Sequence, residues 1–369
     1  MTMSILLFLL ILVVLVVVHE FGHFIVAKLF KVRVEEFGIG YPPRAFSFGT
    51  WNGTEYTLNW IPFGGFVRLL GEDTAADMSS QEKSTSFMFS AWWKKALILI
   101  AGVSFNILLA FFLFTAAASY GAPIAIEEDS PLASKAGLLV TGVYEGTPAA
   151  AAGLQAGDMI VATTARKDTL AELKPSAFSQ FTAAHPGQEM HITIQRKGES
   201  QTILVTPAQG ILEGKISTPA IGISLGFVLQ EQAPVLAVIP IGIRETKEWF
   251  IDITLGIWNL LKGAFTGTAQ IADVAGPVGI ATHVGEWYQL GIAHLLYFIA
   301  IISINLAVIN LIPIPALDGG RLLFVLIEAV IRRPVPEIIT NTLNSIGFLA
   351  LIALMVVVTY NDILRIVQG

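Results

Sequence analysis

The residues best suited to chemistry in this chain are two histidines four residues apart, with a glutamate beside the first: His19, Glu20 and His23. Side chains at i and i+4 project from the same face of a helix, so both imidazoles can bind one Zn²⁺. The glutamate can then act as general base toward water at the metal. Because two protein ligands do not complete a catalytic zinc site, the spacing predicts a third ligand elsewhere in the chain.

This motif lies within a strongly apolar stretch. An apolar run from Ser4 to Val18 precedes it, and Phe24-Ile25-Val26-Ala27 follows it. Ionisable side chains in a lipid-embedded helix are costly and usually face protein or a water-filled cavity, which favours an active site. Lys28 is the first basic residue, and there is no small-residue cleavage site. We therefore expect the segment to be retained rather than removed as a signal peptide.

The composition is that of a membrane protein. Of 369 residues, 54% are hydrophobic and 14% charged, against roughly 25% charged in soluble domains. Mean hydropathy is +0.69. A net charge of −6 without a basic concentration excludes nucleic acid as a partner. The absence of cysteine excludes disulfides and thiolate ligands, which leaves His, Asp and Glu for zinc.

Three further stretches are candidates for membrane spans. They run from Ala96 to about Ser119, from Gly291 to about Pro313, and from Ile346 to about Tyr360, the last being the shortest. A helix needs about 20 apolar residues to cross the hydrocarbon core. The sequence therefore predicts a polytopic α-helical membrane protein with about four transmembrane helices.

The distribution of basic residues predicts the orientation. They concentrate between spans one and two and between spans three and four, and include Lys28, Lys31, Arg33, Arg44, Arg68, Lys94, Lys95, Arg321, Arg332 and Arg333. Because positive charge favours the cytoplasmic side, both loops should be cytoplasmic. The region from about Ala122 to His294 and both termini should then lie outside, with the His-Glu motif near the cytoplasmic end of span one.

Asp318 is the candidate for the third metal ligand. It lies in Asn310-Leu311-Ile312-Pro313-Ile314-Pro315-Ala316-Leu317-Asp318-Gly319-Gly320, where two prolines must break a helix. Irregular backbone at membrane depth is tolerated only where it is buried in protein or lines a wet cavity, so this segment is a plausible wall for a metal site. The alternative is a helix-exit turn with Asp318 at the surface.

A β-hairpin is predicted after the first span. Asn52-Gly53 separates residues 45–51 from residues 54–58, a strong signal for a two-residue turn. An exposed strand edge here could pair with an unwound substrate segment, which matters because a helical peptide bond must be extended before water can attack it. A hairpin that only covers the catalytic core is the alternative, and the two roles are compatible.

A small α/β domain is predicted between spans two and three. The string Thr147–Ile160 resembles the PDZ domains appended to bacterial proteases, and it is followed by a helical stretch around 175–184 and strands at 190–196 and 201–205. The resemblance implies capture of a peptide by strand addition beside a short helix. The alternative is a spacer that excludes bulky substrates by size.

Taken together, His-Glu-Phe-Gly-His, the string from Asn310 to Gly320 and the PDZ-like insert resemble the intramembrane site-2 metalloproteases, most closely the bacterial regulator of sigma-E protease group. The resemblance implies that His19, His23 and Asp318 bind Zn²⁺ and that Glu20 activates the water. It also implies that Asn310 holds the substrate backbone. Further matches to the family's membrane-reentrant β region are residues 37–43 and 61–68.

Two features depart from the family. Gly102-Val103-Ser104-Phe105-Asn106 replaces the usual Gly-Pro before the asparagine, although Asn106 remains available to line the cavity and bind substrate. The insert is sized for one PDZ domain, whereas relatives often carry two. The predicted parts are an N-terminal membrane part (1–121), a PDZ-like extracytoplasmic domain (122–230), an amphipathic linker (231–290) and a C-terminal membrane part (291–369).

The predicted function is that of a zinc-dependent intramembrane endopeptidase of the bacterial inner membrane. Its partners would be the lipid bilayer, single-span membrane protein substrates and a peptide ligand of the PDZ-like domain. An anti-sigma factor of an envelope stress response and leftover signal peptides are both open as substrates. A non-catalytic PDZ membrane adaptor is the main alternative, and a metal transporter fits poorly. His283 and His294 are expected to have packing or interface roles on the outer side.

Overall fold

A computed structural model describes residues 2–72, 78–122, 124–144, 146–196, 198–210, 219–229, 232–267 and 276–368. The chain divides into two units. We call Met1–Ala117 with Gly242–Gly369 the membrane unit, after its long apolar helices, and Ala118–Ile241 the inserted unit.

The first part of the membrane unit contains two long helices separated by a β-hairpin. Its elements are α1 (Thr2–Leu29), β1 (Val34–Trp51), β2 (Thr54–Leu69), α2 (Ser80–Thr85) and α3 (Trp92–Ser119). The hairpin turn is confirmed at Asn52 and Gly53, whose φ angles are 47° and 75°. Asparagine and glycine adopt such positive φ values most readily, which explains why the chain reverses here.

The hairpin is strongly bent, so that it forms more than one row of strand pairs. Residues 36–39 of β1 pair with residues 65–68 on one side and with residues 55–58 on the other. Residues 44–51 pair with the stretch that begins at Thr54. The segment 65–69 therefore lies at one edge of the sheet among the pairs that the structure describes.

The inserted unit is built on a sheet whose described strand pairs are all antiparallel, together with short helices. Its elements are β3 (Ala136–Val143), α4 (Pro148–Ala151), β4 (Met159–Ala165), β5 (Asp168–Thr169), α5 (Pro175–Ala184), β6 (Met190–Arg196), β7 (Glu199–Val205) and β8 (Ile223–Leu229). The strand order is β7-β6-β4-β3-β8, with β5 paired to β4. The predicted helix α5 and strand β6 are confirmed. Strand β7 begins at Glu199, because Glu199 pairs with Arg196 rather than forming the turn.

Alternating apolar residues of these strands form the core of the inserted unit. Leu138, Ile160 and Ile192 are fully or almost fully buried and pack with Phe178 of α5. Side chains of a strand alternate between its two faces, so one face of the sheet is covered and the other is more polar. At the edge of this core, Arg196 forms an ion pair with Asp158, whose side chain is 1% exposed. Its Nε lies 2.6 Å from Oδ1 of Asp158.

The remaining helices belong largely to the membrane unit. They are α6 (Val235–Thr266), α7 (Pro277–Gln289), α8 (Ile292–Leu311), α9 (Asp318–Ile331) and α10 (Glu337–Gln368). Of the predicted linker, residues 268–275 lie outside the described residues, whereas the amphipathic stretch 241–267 falls mostly in α6.

Four of the described helices are long and apolar enough to cross a membrane, namely Met3–Leu29, Trp92–Ser119, Ile292–Leu311 and Ile338–Leu364. The number agrees with the sequence prediction. The prediction of a short fourth span at 346–360 is wrong, since that candidate has 27 residues. Polar Asn344 lies within the helix, where its side-chain oxygen accepts a hydrogen bond from the Ala316 amide at 3.1 Å.

Small residues and aromatic rings pack the helices of the membrane unit. Phe114 of α3 and Ile304 of α8 are buried together with alanines from both helices. Leu15 of α1 packs with Val284 of α7 and Leu295 of α8. In lipid, helix association depends on close packing rather than on transfer from water, so small residues at such contacts stabilise the arrangement. These contacts fix α1, α3 and α8 around one site.

Candidate active site

The side chains of His19 and His23 meet that of Asp318, which lies about 300 positions later in the chain. His19 Nε2 is 2.8 Å from Asp318 Oδ2, and His23 Nε2 is 3.3 Å from the same oxygen. The two Nε2 atoms are 3.2 Å apart. Both histidines are buried, with exposed fractions of 6% and 8%. One turn of α1 and the first residue of α9 therefore supply three converging donor atoms.

A backbone carbonyl sets the orientation of His23. Its Nδ1 lies 2.7 Å from the carbonyl oxygen of Ile98 in α3. Because a carbonyl only accepts, Nδ1 must carry the proton, and the lone pair is then on Nε2, which faces the other donor atoms. This is the usual arrangement of a metal-binding histidine, whose second nitrogen donates to an outer partner.

The side chain of Asn106 sets the orientation of His19. Its side-chain nitrogen is placed 3.2 Å from His19 Nδ1, while its side-chain oxygen is buried without a hydrogen-bond partner among the described residues. Rotating the amide by half a turn gives this oxygen the Nδ1–H of His19 as donor and leaves His19 Nε2 free for a metal.

The sequence prediction for Asn106 needs correction. We predict that it lines the cavity and binds substrate, but the structure places it at 0% exposure behind His19. The hydroxyl of Ser303 in α8 donates to the Asn106 carbonyl at 2.8 Å, which fixes this stretch of α3. Asn106 is therefore positioned to orient the His19 ring rather than to touch substrate.

The three donors fit Zn²⁺. Two imidazole nitrogens and one carboxylate oxygen form the three-ligand set of catalytic zinc sites, which leaves a further position open. Ligand bonds of about 2.0–2.1 Å in a tetrahedron separate the ligand atoms by about 3.3 Å. Two of the three separations, at 3.2 and 3.3 Å, match this spacing. The orphaned oxygen of Asn106 also finds its partner once Nε2 of His19 is reserved for the metal.

The two glycines after Asp318 let the broken segment fold back on the start of α9. A Cβ atom at Gly319 would lie 2.3 Å from the carbonyl oxygen of Ile312, and one at Gly320 would lie 2.3 Å from that of Ile314. Any larger residue would push the segment 312–317 away. The prolines end α8, and the glycines then allow the close turn that presents Asp318 to the histidines.

Glycines also bring α1 against α3. A Cβ atom at Gly22 would lie 2.5 Å from the Ala101 carbonyl oxygen, and one at Gly102 would lie 2.4 Å from His23 Nε2 and 2.8 Å from His19 Cε1. Gly102 thus lies directly against both histidine rings, nearest to Nε2 of His23. Sequence analysis missed this role, and the signal that could have found it was the small-residue pair Ala101-Gly102 in α3, since small residues mark close approach of membrane helices.

A cavity of about 510 Å³ opens onto the donor atoms. Besides the three candidate ligands it is lined by Glu20, Asn310 and Arg321, and by the hairpin residues Tyr41, Gly64, Gly65, Phe66, Val67, Arg68 and Leu69. The predicted general base and the predicted substrate-binding asparagine therefore share one cavity with the histidines. His283 lies elsewhere, where it pairs with Glu286 at 2.9 Å, and His294 lies beside the Trp287 ring.

This arrangement defines a class of protein, a metallohydrolase whose site lies on apolar, membrane-spanning helices. The sequence matches the model of Peptidase family M50 over residues 7–354, and the chain belongs to this family, that of the site-2 proteases. A zinc metalloprotease, RasP, of Geobacillus kaustophilus is 31% identical over 439 residues, covering 98% of this chain and 97% of its own.

Two further comparisons are with a relative over most of the chain and with a solved structure over part of it. A Clostridium perfringens protein assigned as a zinc metalloprotease is 34% identical over 351 residues, covering 95% of each chain. A solved PDZ domain of an SdrC-like protein from Listeria monocytogenes is 23% identical, covers 24% of this chain and 86% of its own, and has a TM-score of 0.21.

These relationships confirm the family, the enzyme class and the cofactor predicted from the sequence. The protein is a multi-pass membrane metalloprotease of the site-2 type, and it is an enzyme that uses Zn²⁺.

Proposed function

We propose that this protease hydrolyses peptide bonds in or near the transmembrane segments of single-span membrane proteins, with His19, His23 and Asp318 as the zinc ligands. The observation that carries the proposal is their convergence within 4.8 Å of one another, in a cavity also lined by Glu20. A site on membrane-spanning helices suits substrates that are themselves in the bilayer.

The chemistry divides between the metal and the residues that surround it. When bound, Zn²⁺ supplies a Lewis acid and lowers the pKa of water toward about 7. Glu20 takes a proton from the attacking water and returns it to the leaving amine nitrogen. Asn310, which lines the same cavity, bonds the substrate backbone near the scissile bond. Asn106 and the Ile98 carbonyl hold the two imidazoles in the required tautomers.

The hairpin edge is suited to holding the substrate in extended form. The edge segment 65–69 lines the cavity, and residues 36–39 already occupy its other side. An extended peptide that added to this edge as a further strand would have its backbone bonded beside the donor atoms. When a substrate helix unwinds, its backbone groups lose their hydrogen bonds. Strand addition offers these groups new hydrogen-bond partners.

We also propose the orientation and the role of the inserted unit. The concentration of basic residues in the loops favours a cytoplasmic location for those loops, and the PDZ-like domain, predicted at 122–230, would then lie outside the inner membrane. There it either binds an extended peptide beside α5 or restricts substrates by size. An anti-sigma factor and signal-peptide remnants are the two substrate types this site would accept.

The proposal is tested by reconstituting the purified protein with a single-span substrate in liposomes and determining the product termini by mass spectrometry. We expect one cut within the apolar segment or within a few residues of it. Cuts confined to extramembrane loops would contradict the proposed substrate class. Binding without any cut, in a sample shown to contain zinc, would favour the adaptor.

A further inference from the structure

The oxygen of the scissile carbonyl needs stabilisation during the reaction. Attack of water on a peptide bond places negative charge on the carbonyl oxygen, and a fixed hydrogen-bond donor at that oxygen lowers the barrier. The candidate zinc ligands and Glu20 serve the metal and the water. The other side chains with N–H or O–H donors that line the cavity include Tyr41, Arg68, Arg321 and Asn310.

Both arginines are engaged with carboxylates. Arg68 lies 3.0 Å from Glu36, which is largely buried, and its guanidinium lies over the Phe66 ring. Arg321 pairs with Glu72, whose side chain is 14% exposed. Their charges are therefore already neutralised, and moving either guanidinium to a substrate would break an ion pair of a mostly buried carboxylate.

The Tyr41 hydroxyl is different. None of the hydrogen bonds among described residues involves it, although its ring lines the cavity together with Glu20 and Asp318. The side chain is 49% exposed. It therefore presents an O–H group that is free to donate to a ligand in the cavity.

The Tyr41 ring is held in place by the hairpin. It stacks on Phe66 with an interplanar angle of 16° and a centroid distance of 6.5 Å. A Cβ atom at Gly64 would lie 2.3 Å from the ring, so only glycine permits this position, and Gly64 also has a φ of +105°. At the next residue, a Cβ atom on Gly65 would lie 3.3 Å from Glu20 Cγ. The Tyr41 ring therefore lies against Gly64, and the Glu20 side chain lies against the next residue, Gly65.

We propose that Tyr41 is a further catalytic residue, whose phenolic O–H donates a hydrogen bond to the scissile carbonyl oxygen as that oxygen gains negative charge. This assignment rests on the proposed function. The water oxygen forms a bond to the carbonyl carbon and Glu20 takes a proton. The carbon–nitrogen bond then breaks and Glu20 returns the proton to the nitrogen. Tyr41 keeps its own proton throughout, so the step balances without a further reactant.

The test is Tyr41→Phe in the full chain, compared with Tyr56→Phe as matched control. Tyr56 belongs to the same hairpin, and its ring packs on Phe24 and Phe37. Both variants lose one hydroxyl and keep the ring. For Tyr41→Phe we expect kcat to fall about 100-fold, as for loss of one oxyanion donor. KM should stay within about twofold, because the contact strengthens only in the transition state, and zinc content should equal that of the wild type.

Three results would overturn the assignment. Wild-type kcat in Tyr41→Phe would show that the hydroxyl is idle, and a raised KM with unchanged kcat would make it a ground-state contact. Loss of zinc, or an equal loss of activity in Tyr56→Phe, would point to a structural effect of the hairpin. A zinc-loaded wild type that cleaves no single-span substrate contradicts the proposed function and this assignment with it.

Discussion

Replacing Gly102 by alanine adds one methyl group directly against the two histidine rings. The new Cβ atom would lie 2.4 Å from Nε2 and 2.7 Å from Cε1 of His23, and 2.8 Å from Cε1 of His19. Non-bonded heavy atoms need about 3.5–4.0 Å. The rings or the helix that carries them must therefore move by about 1 Å.

The site cannot absorb a shift of that size. Nδ1 of His23 is tied to the Ile98 carbonyl at 2.7 Å, so the ring cannot swing without losing that bond. The helices cannot separate easily either, because Gly22 lies against Ala101 in the same contact. Metal and catalytic sites tolerate errors of about 0.5 Å, and a displacement of about 1 Å can cost about 10²-fold in rate. Overpacking of this kind costs about 1–3 kcal/mol in stability.

We therefore expect Gly102→Ala to insert in the membrane and fold, yet to bind zinc more weakly and to cleave at least about 100-fold more slowly. The assay measures zinc by atomic absorption after dialysis against a graded chelator, and cleavage of a single-span substrate in the same samples. Gly256→Ala is the matched control, since a Cβ atom added at that helical glycine would meet no atom within 4 Å apart from its chain neighbours and the backbone of its own helix. It should behave as the wild type. Wild-type zinc retention and activity in Gly102→Ala would refute the reasoning.

Two further predictions concern the stability of each unit. Asp362 is 2% exposed and accepts hydrogen bonds from two glycine amides at the start of α7, at 3.1 and 2.8 Å. Asp362→Ala should therefore destabilise α7 by about 1–2 kcal/mol, which would be measured as faster hydrogen exchange in that helix. Asp252→Ala, at an exposed position of α6, is the control and should leave the exchange of α7 unchanged. Hydrogen bonds of the His185 ring to the Phe181 carbonyl and to Asp168 raise the pKa of His185 above its usual range. The protonated ring thus stabilises the inserted unit below about pH 6.5, and this stabilisation is lost as pH rises through the raised pKa of His185. The calorimetric midpoint of that unit should be higher at about pH 6 than at about pH 8.5, with a smaller difference in His185→Gln.

Local signals in the sequence predicted much of the fold. Runs of apolar residues marked the four candidate spans, because hydropathy and length alone decide whether a helix can cross a bilayer. Asn52-Gly53 marked the hairpin turn, since few other residue pairs accept two positive φ angles. Helix α5 and strand β6 were also visible, each with its own periodicity and turn residues. These features depend on neighbours in the chain.

The parts that were missed depend on contacts between distant segments. Whether Asn106 faces the cavity or the back of His19 is decided by the rotation of α3, which the sequence does not specify. The role of Gly102 requires knowing which helix lies against it. The last candidate span begins before the predicted 346–360 and includes Asn344, which is accommodated because its side chain bonds the Ala316 amide, 28 positions away. A polar residue inside an apolar helix is tolerated where it finds such a partner.

Zinc content and cleavage of a single-span substrate, measured on the same purified samples of wild type and Glu20→Gln, decide whether this site is catalytic. The replacement keeps the size of the side chain and removes its ability to take a proton. We expect about one zinc per chain in both proteins, with cleavage only in the wild type. Cleavage at the wild-type rate by zinc-loaded Glu20→Gln, or zinc retained undiminished when His23 is replaced by alanine, would contradict this assignment of the site.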